Sequence, residues 1–161
     1  MKAEINQRIA ALLENPEIEA VRVEVRTAFE VYRDAREKDV KVQKEAWDKE
    51  ERPAPEPGEE PARFEYQADE EDTRNNEMYA AFREREKAWR EKVAAEQRAN
   101  LEKKQTILGK LQELVANEEN IGKMFDAFNT LTEEWNAVGN VPGDQYRELH
   151  DQWHRLRDEF F

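Results

Sequence analysis

Two histidines, His150 and His154, stand four residues apart in the stretch HDQWH, so on a helix their rings share one face, with Asp158 one turn further on. The spacing imitates the zinc-binding helix of metalloproteases. That chemistry needs a Glu beside the first His as general base and a third ligand from a second element. Asp151 occupies the base position here, one methylene shorter, and His150 and His154 are the only histidines in the chain. A metal-dependent hydrolase is therefore the third and least favoured reading. His150 is instead expected at the edge of a helical bundle and His154 in solvent.

Nucleophilic catalysis is excluded more directly. The chain has no Ser and no Cys, so neither a Ser-His-Asp nor a Cys-His arrangement can form, and none of the five Thr adjoins a His. Carboxylates are abundant, but on solvated helix faces nothing shifts their pKa values towards acid–base work. The five glycines are scattered at 58, 109, 122, 139 and 143, which leaves no phosphate-binding loop. The expectation is a protein that is not an enzyme, with no catalytic, cofactor-binding or metal-binding residues and no cofactor.

Binding chemistry has two sequence candidates. An aromatic stripe containing Trp135, Trp153 and the final Phe pair could stack bases of single-stranded RNA, but such platforms need neighbouring cations. Residues 121–161 hold four bases against eight acids, so core packing is the better account of the stripe. A basic patch remains at Lys103, Lys104 and Lys110, facing Arg98. It could meet RNA or an acidic protein surface, with pairing to Glu96 and Glu102 as the competing explanation.

Composition sets the frame that must carry these residues. Of 161 residues, 38% are hydrophobic and 40% charged, too little apolar matter for one compact globule and well suited to long exposed helices with narrow apolar stripes. The net charge is −12, and residues 51–75 supply half of it with nine acids against three bases. An acidic chain without a basic stripe repels phosphate backbones and anionic membranes, which disfavours nucleic acid and membrane as partners. The absence of Cys is compatible with a reducing compartment, and the opening MKAEINQRIAALLENPE has no apolar run suited to a signal peptide. The expected location is cytoplasmic.

The fold class expected is all-α: an elongated helical arm or coiled-coil hairpin joined to a small three-helix bundle. Residues 1–50 form the arm. A first helix carries Ile5, Ile9, Leu12 and Leu13 on one face, and NPE at 15–17 closes it, with Asn15 as cap and Pro16 in the first turn of the next helix. From about Glu17 to Glu50, Ile18, Val21, Val25, Ala28, Tyr32, Ala35, Asp39, Val42 and Ala46 recur at alternating spacings of three and four, a coiled-coil seam with Asp39 as its one defect. Residues 51–76 carry four of the six prolines and read as an acidic linker. Its Phe64 and Tyr66 either form a docking motif or fold back onto the helices.

Residues 77–161 supply a long helix and the bundle. The helix, from about Arg74 to Ala116, has Met78, Phe82, Trp89 and Val93 early and Ile107, Leu108, Leu111, Leu114 and Val115 late. Between them AAEQRANLEKKQ has only Leu101 as a large anchor and reads as a solvated span. Gly109 is expected to mark a close helix crossing, and Asn117 to cap. Ile121, Met124, Phe125, Phe128, Leu131, Trp135 and Val138 form a second stripe. After the VPG turn, with Asp144 as cap, Tyr146, Leu149, Trp153, Leu156 and Phe160 form a third. Met78, Phe82 and Trp89 recur as Leu149, Trp153 and Phe160, each 71 residues later, which hints at a repeat and at a last helix that continues in a longer parent protein.

The run NLEKK at 100–104, the helix ILGKLQEL, then LTEEW, VGNVP and L-x3-W-x6-FF resemble the bacterial family known as domain of unknown function 349. The resemblance covers roughly residues 82–161 and rests on Trp135, Val138, Gly139, Val141, Pro142, Leu149, Trp153, Asp158, Phe160 and Phe161. It implies tandem helical repeats and no stated activity. His150 replaces the family's Trp and Trp153 its Phe, a shift of aromatic volume along the helix. Together these readings favour a non-catalytic interaction or scaffold module that meets a protein partner through helix faces, or a second copy of itself through the arm. A ribosome- or RNA-complex-associated factor is the alternative.

Overall fold

The computed structural model describes residues 1–117 and 121–160. Among them are five helices and no strand: α1 (Lys2–Leu13), α2 (Ile18–Lys49), α3 (Glu70–Asn117), α4 (Ile121–Ala137) and α5 (Gly143–Phe160). The fold is all-α. The residues separate into two compact units, Met1–Trp89 and Arg90–Phe161, so the division falls within the long third helix, beyond the linker expected to end at residue 76.

In the first unit, Ile9, Ile18, Val25, Ala28, Phe29 and Phe82 form the core, with Ile5, Leu12, Leu13, Val21, Met78 and Trp89 packed against it. The stripe of α2 thus finds a partner within its own unit. Phe29, absent from the expected seam, lies with its ring centroid 5.7 Å from that of Phe82. The seam holds as far as Ala35, but Val42 is 66% exposed and Ala46 is exposed, while Gln43 and Trp47 turn inward instead. A straight helix turns every 3.6 residues, so a stripe repeating every 3.5 drifts off the covered face over several turns.

Local polar chemistry closes the helix ends. The junction at 15–17 differs from the expected cap: Asn15 Oδ1 accepts the Glu17 amide at 2.9 Å, and Pro16 lies before α2. Arg85 donates to the carbonyls of Leu13 (2.8 Å) and Asn15 (2.6 Å), satisfying acceptors left open where α1 ends. In the linker, Glu56-Pro57-Gly58-Glu59 closes a turn through a 2.9 Å bond from the Glu59 amide to the Glu56 carbonyl. Gly58 adopts φ +93°, the left-handed value that a glycine after proline permits.

Phe64 and Tyr66 fold back. Phe64 packs edge-on to Trp47 at 6.1 Å, and Arg36 lies over the Tyr66 ring at 4.9 Å. Gln43 clasps the backbone beside them, donating to the Gln67 carbonyl (3.0 Å) and accepting its amide (2.8 Å).

In the second unit, Ile107, Leu108, Leu111, Phe128, Leu131, Trp135, Val141, Leu149 and Trp153 form the core. Trp135 and Trp153 stack at 4.5 Å, and Phe128 stacks on Phe160 at 4.5 Å. These aromatics are spent on packing, and the two triplets 71 residues apart each serve the core of their own unit. The first turn of α4 departs from its expected stripe, since Ile121 and Phe125 are exposed. Among the described residues, nothing beyond its own helix backbone and chain neighbours lies within 4 Å of a Cβ placed on Gly109, so they supply no close crossing there. Asp144 lies inside the first turn of α5 rather than capping it, and the cap expected of Asn117 involves a side chain outside the described residues.

Candidate functional site

Ionisable residues are gathered by the fold in both units. In the first, a cluster begins at Lys2, which shares the inner face of α1 with Asn6 and Ile9. Its Nζ lies 2.6 Å from Asp69, 2.7 Å from Asp39 and 3.2 Å from Asp72, and 3.3 Å from the Tyr66 hydroxyl. Asp72 is only 2% exposed and accepts hydrogen bonds from the Tyr32 and Tyr66 hydroxyls, both at 2.5 Å, and from the Asp69 amide at 3.1 Å. Asp69 Oδ1 returns the favour by accepting the Asp72 amide at 2.9 Å, a reciprocal cap on the start of α3. Asn6 donates to the Glu71 carbonyl and carboxylate and accepts from Asn75.

The electrostatics follow from these contacts. Burial works against charge on Lys2, yet Asp39, Asp69, Tyr66 and Asp72 outweigh it and raise its pKa. Burial would also push the Asp72 carboxyl up, but the donors Tyr32, Tyr66, the Asp69 backbone and Lys2 hold it well below the usual carboxylate range. Lys2 lowers the pKa of Asp69 with help from a backbone hydrogen bond. Both tyrosines are pushed up, by burial and then by donation to Asp72. Asp72 lies off the solvated faces for which no shift is expected, and its shift is downward, away from acid–base work: the seam defect Asp39, Asp69 and Asp72 converge on one buried ammonium. Each group is occupied by another, so the cluster locks the starts of α1 and α3 onto the middle of α2. Its sequence signal was the D-x-x-D pattern at 69–72 and the polar positions 2 and 6 on an otherwise apolar helix face.

The same unit holds a second closed pair. Arg26 donates to both oxygens of Glu86, at 3.0 and 2.5 Å, and Arg22 lies over the Trp89 ring at 4.8 Å.

A further group belongs to the C-terminal unit. Polar residues of α3 expected to be solvated, Gln97, Asn100 and Lys104, instead fall in helical register with Leu101 and Leu108 and turn inward. Asn100 donates to the Asn140 carbonyl at 2.8 Å, and a side chain on Gly139 would meet Asn100 Nδ2 at 3.1 Å. Glycine at 139 therefore allows the turn before α5 to approach α3. Between them lies a hollow of about 500 Å³ lined by Gln97, Lys104, the 138–141 turn, Gly143, Tyr146 and His150.

Lys104 is 7% exposed. Its Nζ sits 4.3 Å from the centroid of the Trp135 ring and 3.4 Å from His150 Nε2. His150 stacks on Tyr146 at 4.1 Å and meets Trp135 edge-on at 5.5 Å. Burial lowers the pKa of Lys104. Burial, Lys104 and His154 lower that of His150, with Asp151 opposing them.

The sequence candidates are thus redistributed. His150 is half-buried at the edge of the bundle core, whereas His154 and Asp158 are exposed. No group of three or more His, Cys, Asp or Glu among the described residues is placed to hold a metal ion. The basic patch divides: Lys103 and Lys110, seven residues apart, line one groove together with Glu102 and Glu134, while Lys104 points to the separate hollow. Arg98 is exposed and lines neither. Among the described residues no helix is long and apolar enough to cross a membrane.

No curated protein and no solved structure matches the chain. A family model does: Domain of Unknown Function (DUF349) matches residues 72–144. The match begins ten residues before the stretch that carries the resemblance and stops before Leu149, Trp153 and Phe160. It takes in Asp72, the buried Glu86, the inward-facing Gln97, Asn100 and Lys104, and the 138–143 turn. The matched segment is 73 of the chain's 161 residues, and over it the chain is similar to the DUF349 family.

Proposed function

We propose that the protein is a non-catalytic, cytoplasmic helical module that recognises a protein partner through exposed helix faces. The observation that carries this reading is the outer face of α2. There Val31 (49% exposed) and Val42 (66% exposed) lie about three helical turns apart on one line, flanked by Val23 at 67%. The inner face of the same helix is already covered by its own unit, so these valines do not belong to the core. The charged residues between them, including Asp34, Lys38 and Lys41, mix both signs, which suits a protein surface better than a phosphate backbone. The closed Lys2 and Glu86 networks support the reading by holding α2 rigidly against its neighbours, which lowers the ordering cost of binding.

Affinity capture from lysate with the full chain tests it, with and without nuclease and at two salt concentrations, beside a Val31→Asp, Val42→Asp variant. The expected result is a set of proteins retained under all four conditions and lost with the variant. Capture abolished by nuclease or steeply weakened by salt would instead favour the RNA-complex reading. Retention by the variant would remove α2 from the account. Twice the chain mass in solution, lost in the variant, would identify a second copy as the partner.

A further inference from the structure

We propose that the hollow beside Lys104 and His150 binds a small oxyanion, a carboxylate or phosphate group, with the Lys104 ammonium as its counter-charge. The inference is independent of the partner surface on α2.

The argument starts from an imbalance. A buried ammonium normally has a carboxylate beside it, because desolvating an unpaired charge is costly. The first unit obeys this rule, with Lys2 facing three aspartates. Lys104 is equally buried, at 7% exposed against 8% for Lys2, yet among the described residues no Asp or Glu lines the hollow it enters. Its neighbours are the face of Trp135 and the ring nitrogen of His150. A Trp face attracts a cation but leaves its charge in place, and a neutral imidazole can accept only one of the three ammonium hydrogens. The next groove on the same helix makes the contrast local, since Lys103 and Lys110 share theirs with Glu102 and Glu134.

The rest of the lining suits an acceptor-rich ligand. Gln97 and Asn140 offer amide hydrogens, and the Tyr146 and His150 rings wall one side. The charged groups acting on His150 are Lys104, His154 and Asp151, of which only Asp151 is anionic, and it lies on the exposed side of α5. Burial lowers the pKa of Lys104, and burial followed by the charge of Lys104 lowers that of His150, in keeping with a hollow that no acidic group among the described residues lines.

The test is NMR observation of the two histidine rings of the full chain during titration with inorganic phosphate or with acetate, at constant ionic strength held by chloride. The expected result is a saturable shift of His150 in the millimolar range with no saturable shift of His154. Saturation by phosphate alone assigns a phosphate, by acetate alone a carboxylate, and by both an unselective oxyanion site. Lys104→Met should weaken binding at least about ten-fold, whereas Lys103→Met, in the other groove, should leave it unchanged. No saturable His150 shift with either anion in the unmodified chain overturns the proposal, whatever the variants do. So does undiminished binding by Lys104→Met or by Lys104→Gln with the helical content retained.

Discussion

Removing the Asp72 carboxylate is the sharpest test of how the first unit is held together. Asp72→Ala takes away the acceptor of two tyrosine hydroxyls and one of three carboxylates around Lys2. Tyr32 is 2% exposed, so water cannot replace the lost partner. A stranded buried polar group costs about 1–3 kcal/mol. Tyr66 is only half-buried and recovers part of its loss in solvent. Lys2 keeps Asp39 and Asp69, so the full penalty of an orphaned buried charge does not apply. The expected loss is about 3 kcal/mol, a large fraction of the roughly 5–15 kcal/mol that holds a domain. Asp72→Asn, which keeps one acceptor oxygen, should lose about 2 kcal/mol.

Two compact units need not unfold together, so the measurement is local: native-state hydrogen exchange of α1 amides against urea. The pH dependence supplies a second readout. A carboxyl whose folded pKa is depressed stabilises fully above its ordinary value, about 3.9, and loses that contribution as pH falls through the folded value. Lys2 and the tyrosines have raised pKa values, so their contributions are complete below their ordinary values, about 10, and are lost as pH rises. The network should therefore be strongest between about pH 4 and 10, and the difference between the unmodified chain and Asp72→Asn should shrink below about pH 4. A loss under about 1 kcal/mol at neutral pH, or a difference indifferent to pH, would refute the assignment of Asp72 as the centre of the cluster.

In the second unit, Trp153→Ala empties a core position stacked on Trp135 and should cost about 3–5 kcal/mol, read as early melting of α4 and α5. His150→Ala removes two ring contacts and should cost about 1–2 kcal/mol, while exposed His154→Ala stays within about 0.5 kcal/mol by urea unfolding. Because the His150 pKa is lowered, its contribution is complete above its ordinary value of about 6.5 and declines as pH falls, which a melting series from pH 8 to about 5 would show. In the linker, Gln43→Ala should accelerate exchange of the Gln67 amide while changing overall stability by less than about 1 kcal/mol.

Local grammar is written in the chain itself. Apolar residues once per helical turn made α1 to α5 and the all-α class legible, and Pro16, the proline-rich run from 53 to 61 and the VPG turn placed the breaks. Its errors cluster where a residue's role depends on something distant. The linker's last residues open α3 because Asp69 and Asp72 cap each other, and Asp72 is buried where Lys2, seventy residues earlier, meets it. Asp39 read as a flaw in a stripe and is a ligand to that same ammonium. Lys103 and Lys104 are neighbours in sequence, yet a rotation of about 100° per residue sends them to different hollows, and only the packing of α5 decides that one is buried against an imidazole. Periodicity records which face of a helix is greasy. Which polar group on another segment completes that face is set by tertiary contact, since a charge is acceptable inside a protein only where folding brings it a partner.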